Sequence, residues 1–390
     1  MPSKQLGLIC SSSSANLSDL IRYLRQLGFE IRALWCPSQD VGIQSAAQFE
    51  IPFVAERADE VLLRKEVEMV VICGGKPVLH AQMCVKALGI GKHVLCDAPS
   101  ALSLTEASKM VESAQYYPQI LSLVGFGLRH LPVFRRMREA VAARTVGEPL
   151  LLECRVQCAP LYAADGSYDW RWEQEQGGGV LNLVGTHVVD LLSFLLEGRR
   201  AERVQGWLKS HGRRRHQLAA APSFRRLNAD DYACFSLKFP GNVAASVCLN
   251  SLCPGEELSQ EILLTCTQGQ LRAQNHHTLL ATKFGSEQLG GKSEVLYSAS
   301  GEDEHEQREE DTAGSPRIYY EGFKKVLEAL SELLPNYSNA MERSVDSWRK
   351  AALPSLQCVA SFDDAKYVRS VVDAVRRSST YQGDWLRVNS

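Results

Sequence analysis

The chain has 390 residues, 45% of them hydrophobic and 23% charged, with a formal net charge of −2. That length suits about two domains with sizeable cores, and so small a net charge gives no reason to expect nucleic acid or an anionic membrane as a partner. No run of about 18 apolar residues suggests a spanning helix; the apolar run from Leu6 to Cys10 is too short for the core of a signal peptide, so a cytoplasmic protein is expected ahead of a secreted one.

Leu6 to Cys10 is followed by Ser11-Ser12-Ser13-Ser14-Ala15-Asn16, then by Leu17, Leu20, Ile21, Leu24 and Leu27, with Gly28 as a stop. Strand, small-residue turn and amphipathic helix in that order open a doubly wound α/β fold. Glu30 to Cys36 supplies the second strand; a helix near Ile43 to Phe49, a short strand at Phe53-Val54 and a helix over Ala58 to Lys65 follow. Met69 to Cys73 reads as a buried parallel strand and His80 to Leu88 as a helix. Gly89 to Pro99 then reads as a helix end, a buried strand from His93, and a loop at that strand's carboxyl edge, which is where ligand chemistry sits in open α/β sheets. A helix over Thr105 to Tyr116 and a strand over Ile120 to Gly127 lead to a domain boundary placed so that the first domain covers 1–125 and the second 126–390.

The second domain begins with a longer strand, Leu150 to Cys158, and continues with strands near Glu202 to Leu208, Asp231 to Phe239, Val243 to Leu249, Glu261 to Cys266 and Gln270 to Ala273. Strands in series fit a mostly antiparallel open sheet. Between them, Gly177 to Leu192 reads as an apolar helix along which Asn182, His187 and Asp190 recur at helical intervals. The basic stretches Arg213-Arg214-Arg215-His216 and Arg225-Arg226, and the acidic run Glu302 to Asp311, read as solvated loops; mutual contact or docking of an unknown protein partner is the alternative.

A dinucleotide turn of the form G-x-G-x-x-G brings backbone close to a pyrophosphate. Here Cys10, Ser11, Ser12 and Ser13 occupy that turn, and the second strand ends at Cys36 with no acid for ribose hydroxyls. Twelve cysteines with no Cys-x-x-Cys, most of them inside apolar runs, read as buried thiols in a reducing compartment. Cys154 and Cys158 are expected on one side of a single strand, a placement that does not favour a mutual disulfide. His211 and His276-His277 lack a matching ligand set, so no metal is expected.

Three segments together resemble the glucose-fructose oxidoreductase, inositol dehydrogenase and MocA family over essentially the whole chain: Gly89 to Pro99 with the helix start that follows, Gly177 to Leu192, and Phe362-Asp363-Asp364-Ala365 with Gly383-Asp384-Trp385. Arg32-Ala33-Leu34-Trp35, Leu88-Gly89-Ile90-Gly91-Lys92 and Arg376-Arg377-Ser378-Ser379 resemble its divergent animal branch, the glucose-fructose oxidoreductase domain-containing proteins. The resemblance implies an α/β fold: an N-terminal Rossmann-like parallel sheet, then an α+β domain with a mostly antiparallel sheet and a C-terminal helix returning to the first domain. It also implies a homodimer through that second sheet, to which Leu237, Phe239, Val243, Ala245, Val247 and Leu249 are candidate contributors.

In the family the loop reads Glu-Lys-Pro and its lysine serves catalysis; here the positions are Asp97, Ala98 and Pro99. Asn182 stands where relatives usually carry an aspartate, and His187 matches the acid/base histidine. Cys10, Ser11, Ser12, Ser13, Cys36 and His80 match cofactor positions in degenerate form. The expectation is therefore a catalytically inactive homodimeric binding or scaffolding module, with NAD or NADP held weakly or not at all. One alternative is an NAD(P)-dependent oxidoreductase acting on the CH–OH group of a sugar or polyol, with His187 as acid/base and Tyr168, Arg171, Asn182 or Asp190 binding substrate. Another is a metabolite sensor in which amides of the serine turn hold an anion.

Overall fold

The computed structural model describes residues 4–10, 14–159, 169–211, 216–218, 221–223, 228–253, 258–284, 293–299, 317–341 and 358–389. The chain forms two units: Met1–His130 with Glu321–Arg369, and Leu131–Tyr320 with Ser370–Ser390. The expected second domain, 126–390, is thus not one body, because the segment after Tyr320 joins the first unit before the chain returns to the second.

In the first unit the apolar pentad forms β1 (Gln5–Cys10) and the periodic leucines form α1 (Ser14–Gln26). They are followed by β2 (Glu30–Trp35), α2 (Gln39–Gln48), α3 (Ala58–Leu63), β3 (Met69–Cys73), α4 (His80–Gly89), β4 (His93–Cys96), α5 (Leu104–Tyr116) and β5 (Ser122–Val124). The expected strand at Phe53-Val54 is a single bridge from Val54 to Leu34. Ser103 and Glu106 start α5 with a reciprocal capping box, the serine oxygen accepting from the Glu106 amide and the carboxylate from the Ser103 amide.

The strands are parallel in the order β5-β4-β3-β1-β2, so the order reverses at β1, between β2 and β3. Brändén-type crevices lie at the carboxyl ends of strands at such a reversal. Cys10 and Cys73 end their strands there as register partners.

The periodic segment Ile318, Phe323, Val326, Leu327, Leu330 and Leu334, absent from the sequence-based expectations, lies in a long helix, Arg317–Met341. Its apolar face from Phe323 onward packs with Leu17, Leu20, Ile21 and Leu24 of α1 into the core over β1 and β3, and the Tyr23 hydroxyl donates to Glu328. Its entry is a backbone-to-backbone approach: a Cβ on Gly127 would lie 2.2 Å from the Gly322 carbonyl carbon, and one on Gly125 would lie 2.6 Å from the Phe323 ring. This crowding and a 3-10 turn at Gly127–His130 coincide with the end of β5 at Val124, short of the expected Gly127.

The second unit is built on a sheet of β6 (Pro149–Gln157), β7 (Arg203–Lys209), β10 (Tyr232–Phe239), β11 (Val243–Asn250), β12 (Ser259–Cys266), β13 (Gly269–Gln274), β14 (Thr278–Lys283), β15 (Ser293–Ser298) and β17 (Leu386–Arg387). The intervening β8 (His216–Leu218) and β9 (Ala221–Ser223) pair with each other, and β16 (Ala360–Ser361) pairs antiparallel with β5 in the first unit. Within the large sheet every neighbouring pair is antiparallel except β6 with β11. The alternation of β10 and β11 corrects one expectation. Leu237, Phe239, Val243, Ala245, Val247 and Leu249, considered for a dimer face, are all buried on the inner face, so they serve this unit's own core.

Helices of this unit include α6 (Pro132–Ala142), α7 (Thr186–Leu195) and, from Ser370 onward, α8 (Phe362–Thr380). The segment Gln174–Leu195 is long and apolar enough by composition to cross a membrane, a feature not anticipated above, but its apolar window lies wholly inside the protein. At the other end of the chain, the Arg376-Arg377-Ser378-Ser379 motif holds α8 to the sheet: Ser378 and Ser379 accept from the amides of Gly206 and Leu208, each at 2.9 Å.

Replacing Gly127 with alanine is expected to lower the unfolding free energy by about 1–3 kcal/mol through overpacking against backbone. Gly89→Ala, where an added Cβ meets nothing within 4 Å, should stay within about 0.5 kcal/mol of wild type or gain slightly. Urea unfolding of both variants makes the comparison.

Candidate functional site

The sequence-predicted residues fall into two sets, one in each unit. The first lies along the carboxyl edge of the parallel sheet. The Cys73 thiol is hydrogen-bonded to Cys10, and this contact together with burial pushes it well above the usual thiol range. Cys36 is buried at the end of β2, its sulfur donating to the Ser38 carbonyl at 2.9 Å and closing against Gly42. Burial and the neighbouring Cys10 raise its pKa too. Thiols kept protonated in this way are poor nucleophiles. Cys36 is therefore a buried, packed thiol at the end of β2. Among the described residues no cysteine is in a disulfide.

Ser11, Ser12 and Ser13, and with them the anion-binding turn, lie outside the described residues, as do Tyr168, Arg213 to Arg215, Arg225, Arg226 and the acidic run at 302–311.

Asp97 follows β4. Its Oδ1 accepts from the Ala98 amide at 2.8 Å and its Oδ2 from the Gly74 amide at 3.5 Å. Burial outweighs these two bonds and pushes its carboxyl up to about 6. His80, buried in the first turn of α4, has Nδ1 3.0 Å from the Pro99 carbonyl oxygen, which ties the loop to that helix. Burial pulls its pKa down despite the Pro99 and Gly74 backbone contacts that oppose the shift. His80 thus acts on the loop as a clamp, and at the position of the family's lysine Ala98 presents only a methyl group.

The second set lies on the helix ending in α7. Gly178 backs onto the Arg171 carbonyl, where an added Cβ would come within 2.2 Å. Gly179, at φ +99°, leaves room for Asp230, whose carboxylate accepts from the Leu181 amide at 2.7 Å and from Arg376 Nη1 at 3.1 Å. A carboxylate on these first amides favours the start of the helix. The Gly177-Gly178-Gly179 run is the space in which that start is built.

The helix does not begin as an α-helix: Leu181–Gly185 forms a π turn before α7. In an α-helix five residues turn through about 500°, which would leave Asn182 and His187 on different faces. The i to i+5 bonding of a π turn brings such a pair back toward one face, and π turns of this kind occur frequently at functional sites. The helical spacing expected above is met only because of this turn.

Asn182 is buried, its Nδ2 donating to the Gly178 carbonyl at 3.3 Å while its main-chain carbonyl accepts from the Thr186 hydroxyl at 2.6 Å. His187 is buried, and burial alone pulls it down to about 4, so at neutral pH it is an uncharged imidazole. Asp190 is also buried, and Arg171 forms an ion pair with Asp169 at 2.6 Å.

The sequence reading missed Tyr319, Asp230 and Arg376. Tyr319 stacks on His187 with ring centroids 4.2 Å apart and planes 7° from parallel. The visible signals were the periodicity of its helix, the adjacent acids Asp230-Asp231, and the Arg376-Arg377 pair, which was noted without a role. Among the described residues no group of three or more His, Cys, Asp or Glu is placed to hold a metal ion.

A parallel Rossmann-type sheet in one unit and a nine-stranded, mostly antiparallel sheet in the other define the class: a Rossmann-fold, oxidoreductase-like protein. The model for the "Oxidoreductase family, NAD-binding Rossmann fold" matches residues 13–125, and that for the "GFO/IDH/MocA C-terminal domain" matches residues 134–272. The human protein "Glucose-fructose oxidoreductase domain-containing protein 2" is 34% identical over 386 residues, covering 98% of this chain and 93% of that protein. The chain belongs to the GFO/IDH/MocA oxidoreductase family.

Two solved structures share its fold at low identity. Levoglucosan dehydrogenase in complex with NADH and levoglucosan matches with a TM-score of 0.75 and 16% identity over 99% of both chains. The super-repressor mutant of Gal80p from Saccharomyces cerevisiae matches with a TM-score of 0.75 and 14% identity, over 100% of this chain and 99% of that one.

Native Asp97 keeps its proton up to about pH 6, whereas an unfolded aspartate releases it near about 4. Between those values the native state binds more protons, so the Asp97 contribution to stability falls as pH rises from about 4 to about 6. Asp97→Asn should therefore gain stability relative to wild type on going from pH 4 to pH 7, as measured by denaturant midpoints of the two proteins at both values.

Proposed function

We propose that this chain is a non-catalytic member of its family, a binding or scaffolding module that keeps the two-unit frame and holds NAD(P) weakly or not at all. The observation that carries the reading is the Asp97-Ala98-Pro99 loop. A methyl group stands at the lysine position, and the neighbouring carboxyl is turned to the Gly74 and Ala98 amides. Hydride transfer needs a held cofactor, and a positioned acid or base contributes about 10²–10⁴ in rate.

The described residues at this edge do not fit a dinucleotide held by a ribose-binding acid. The end of β2 offers the inward thiol of Cys36 in place of that acid. On the second unit, Asn182 spends its amide on the Gly178 carbonyl, and His187 is uncharged at neutral pH. A fold shared with both a dehydrogenase and a protein described as a super-repressor is compatible with a member that binds without turnover.

Self-association through the open face of the large sheet belongs to the same proposal. With Leu237 and its neighbours turned inward, the apolar groups left for that face include Leu151 and Trp207, both exposed.

A second reading, an NAD(P)-dependent oxidoreductase with His187 as acid/base, draws support from Asp97, whose carboxyl at about 6 lies in the range useful to acid/base chemistry. The two readings separate in an assay of sugars, inositols and trans-dihydrodiols with NAD and NADP. No turnover is expected from the wild-type chain. A turnover that disappears in His187→Ala would establish the second reading and overturn the first.

A further inference from the structure

The second unit holds an aromatic contact, between His187 and Tyr319, that the proposed function does not use. His187 sits in the first turn of α7, and Tyr319 sits in the first turn of the Arg317–Met341 helix; both belong to the same unit. Their rings are 4.2 Å apart between centroids and 7° from parallel, and both residues are buried, at 5% and 4% exposure. The Tyr319 hydroxyl has no hydrogen-bond partner among the described residues, so no hydrogen bond from that oxygen sets the ring's place. The thiols of Cys154 on β6 and of Cys158 just after that strand lie near enough to act on the phenol.

We infer that Tyr319 is the positioning residue of His187: its ring fixes the plane of the imidazole and covers one of its two faces. A ligand then meets His187 through a ring nitrogen or the opposite face and never by stacking on the covered side. The inference goes beyond the proposed function and does not depend on it, since a binding module and an enzyme would both present His187 in this way.

Two physical effects connect the contact to observables. A flat aromatic neighbour displaces the proton resonances of the covered ring by its ring current. It excludes water from that side, which disfavours the imidazolium and agrees with a His187 pKa pulled down to about 4 by burial. Both effects come from the ring and neither requires the hydroxyl.

The test is a histidine NMR titration of the full chain between pH 3 and pH 8, with His187→Gln used to assign the resonance among the nine histidines. In wild type the His187 signal should be ring-current shifted and titrate near 4. Tyr319→Phe should preserve both properties. Tyr319→Leu should lose the shift and move the titration toward about 6.5, the value of an unperturbed histidine.

A role in packing alone would change the melting temperature of Tyr319→Leu and leave the titration in place, which would overturn the inference. So would a Tyr319→Phe variant that moves as far as Tyr319→Leu, because the hydroxyl would then be the agent. Should the leucine variant fail to fold, wild type and Tyr319→Phe still decide. An unshifted wild-type resonance, or a phenylalanine variant that loses the shift, overturns the assignment, and retention of the shift in both supports it.

Discussion

Desolvation acts on Asp97 and His187 in opposite directions and with the same result. Water is withdrawn from each group, so the carboxyl is pushed up to about 6 and the imidazole pulled down to about 4, each toward its neutral form. The thiols of Cys36 and Cys73 follow the same rule, held protonated by burial and by the neighbouring Cys10. Neutral groups of this kind offer hydrogen bonds and apolar surface more readily than charge. At the lysine position, Ala98 contributes no charge at all.

The frame around these groups is kept by polar contacts that are spent on structure. Asp230 joins the Leu181 amide at the start of the histidine-bearing helix to Arg376 of the C-terminal helix. Removing one member of so buried a pair leaves the other charge uncompensated, which typically costs about 3–5 kcal/mol. His80 holds the Pro99 carbonyl, and Ser378 and Ser379 bind the amides of β7. Several segments that mark the family resemblance are thus explained by how they hold backbone, without reference to a reaction. A chain can retain them while its catalytic groups change.

How much of this was legible in the sequence depended on how local the cause was. β1, α1 and β3 were readable because hydrophobic period and turn residues lie side by side in the chain. The approach of Gly127 to Gly322 was not, since nothing in either local sequence names the other. The helix from Arg317 carries a readable period, but the charged run before it in the sequence has none, which hides where the helix begins and with it Tyr319. In β10 and β11 the alternation separates two faces correctly but does not say which is inside, and the dimer-face expectation for Leu237 and its neighbours failed for that reason. The π turn hid a different fact. A separation of five residues between Asn182 and His187 does not fit an α-helix, and only the backbone geometry makes it fit one face.

The proposal that most needs testing is that this chain holds NAD(P) weakly or not at all, and it rests on the Asp97-Ala98-Pro99 loop and the buried Cys36 thiol among the described residues. Calorimetric titration of the purified chain with NADH and with NADPH, paired with thermal unfolding, tests it directly, because a ligand bound only by the native state must raise its stability. The account predicts no saturable heat and no rise in melting temperature at millimolar cofactor. Saturable binding in the micromolar range, with a matching rise in melting temperature, would contradict it.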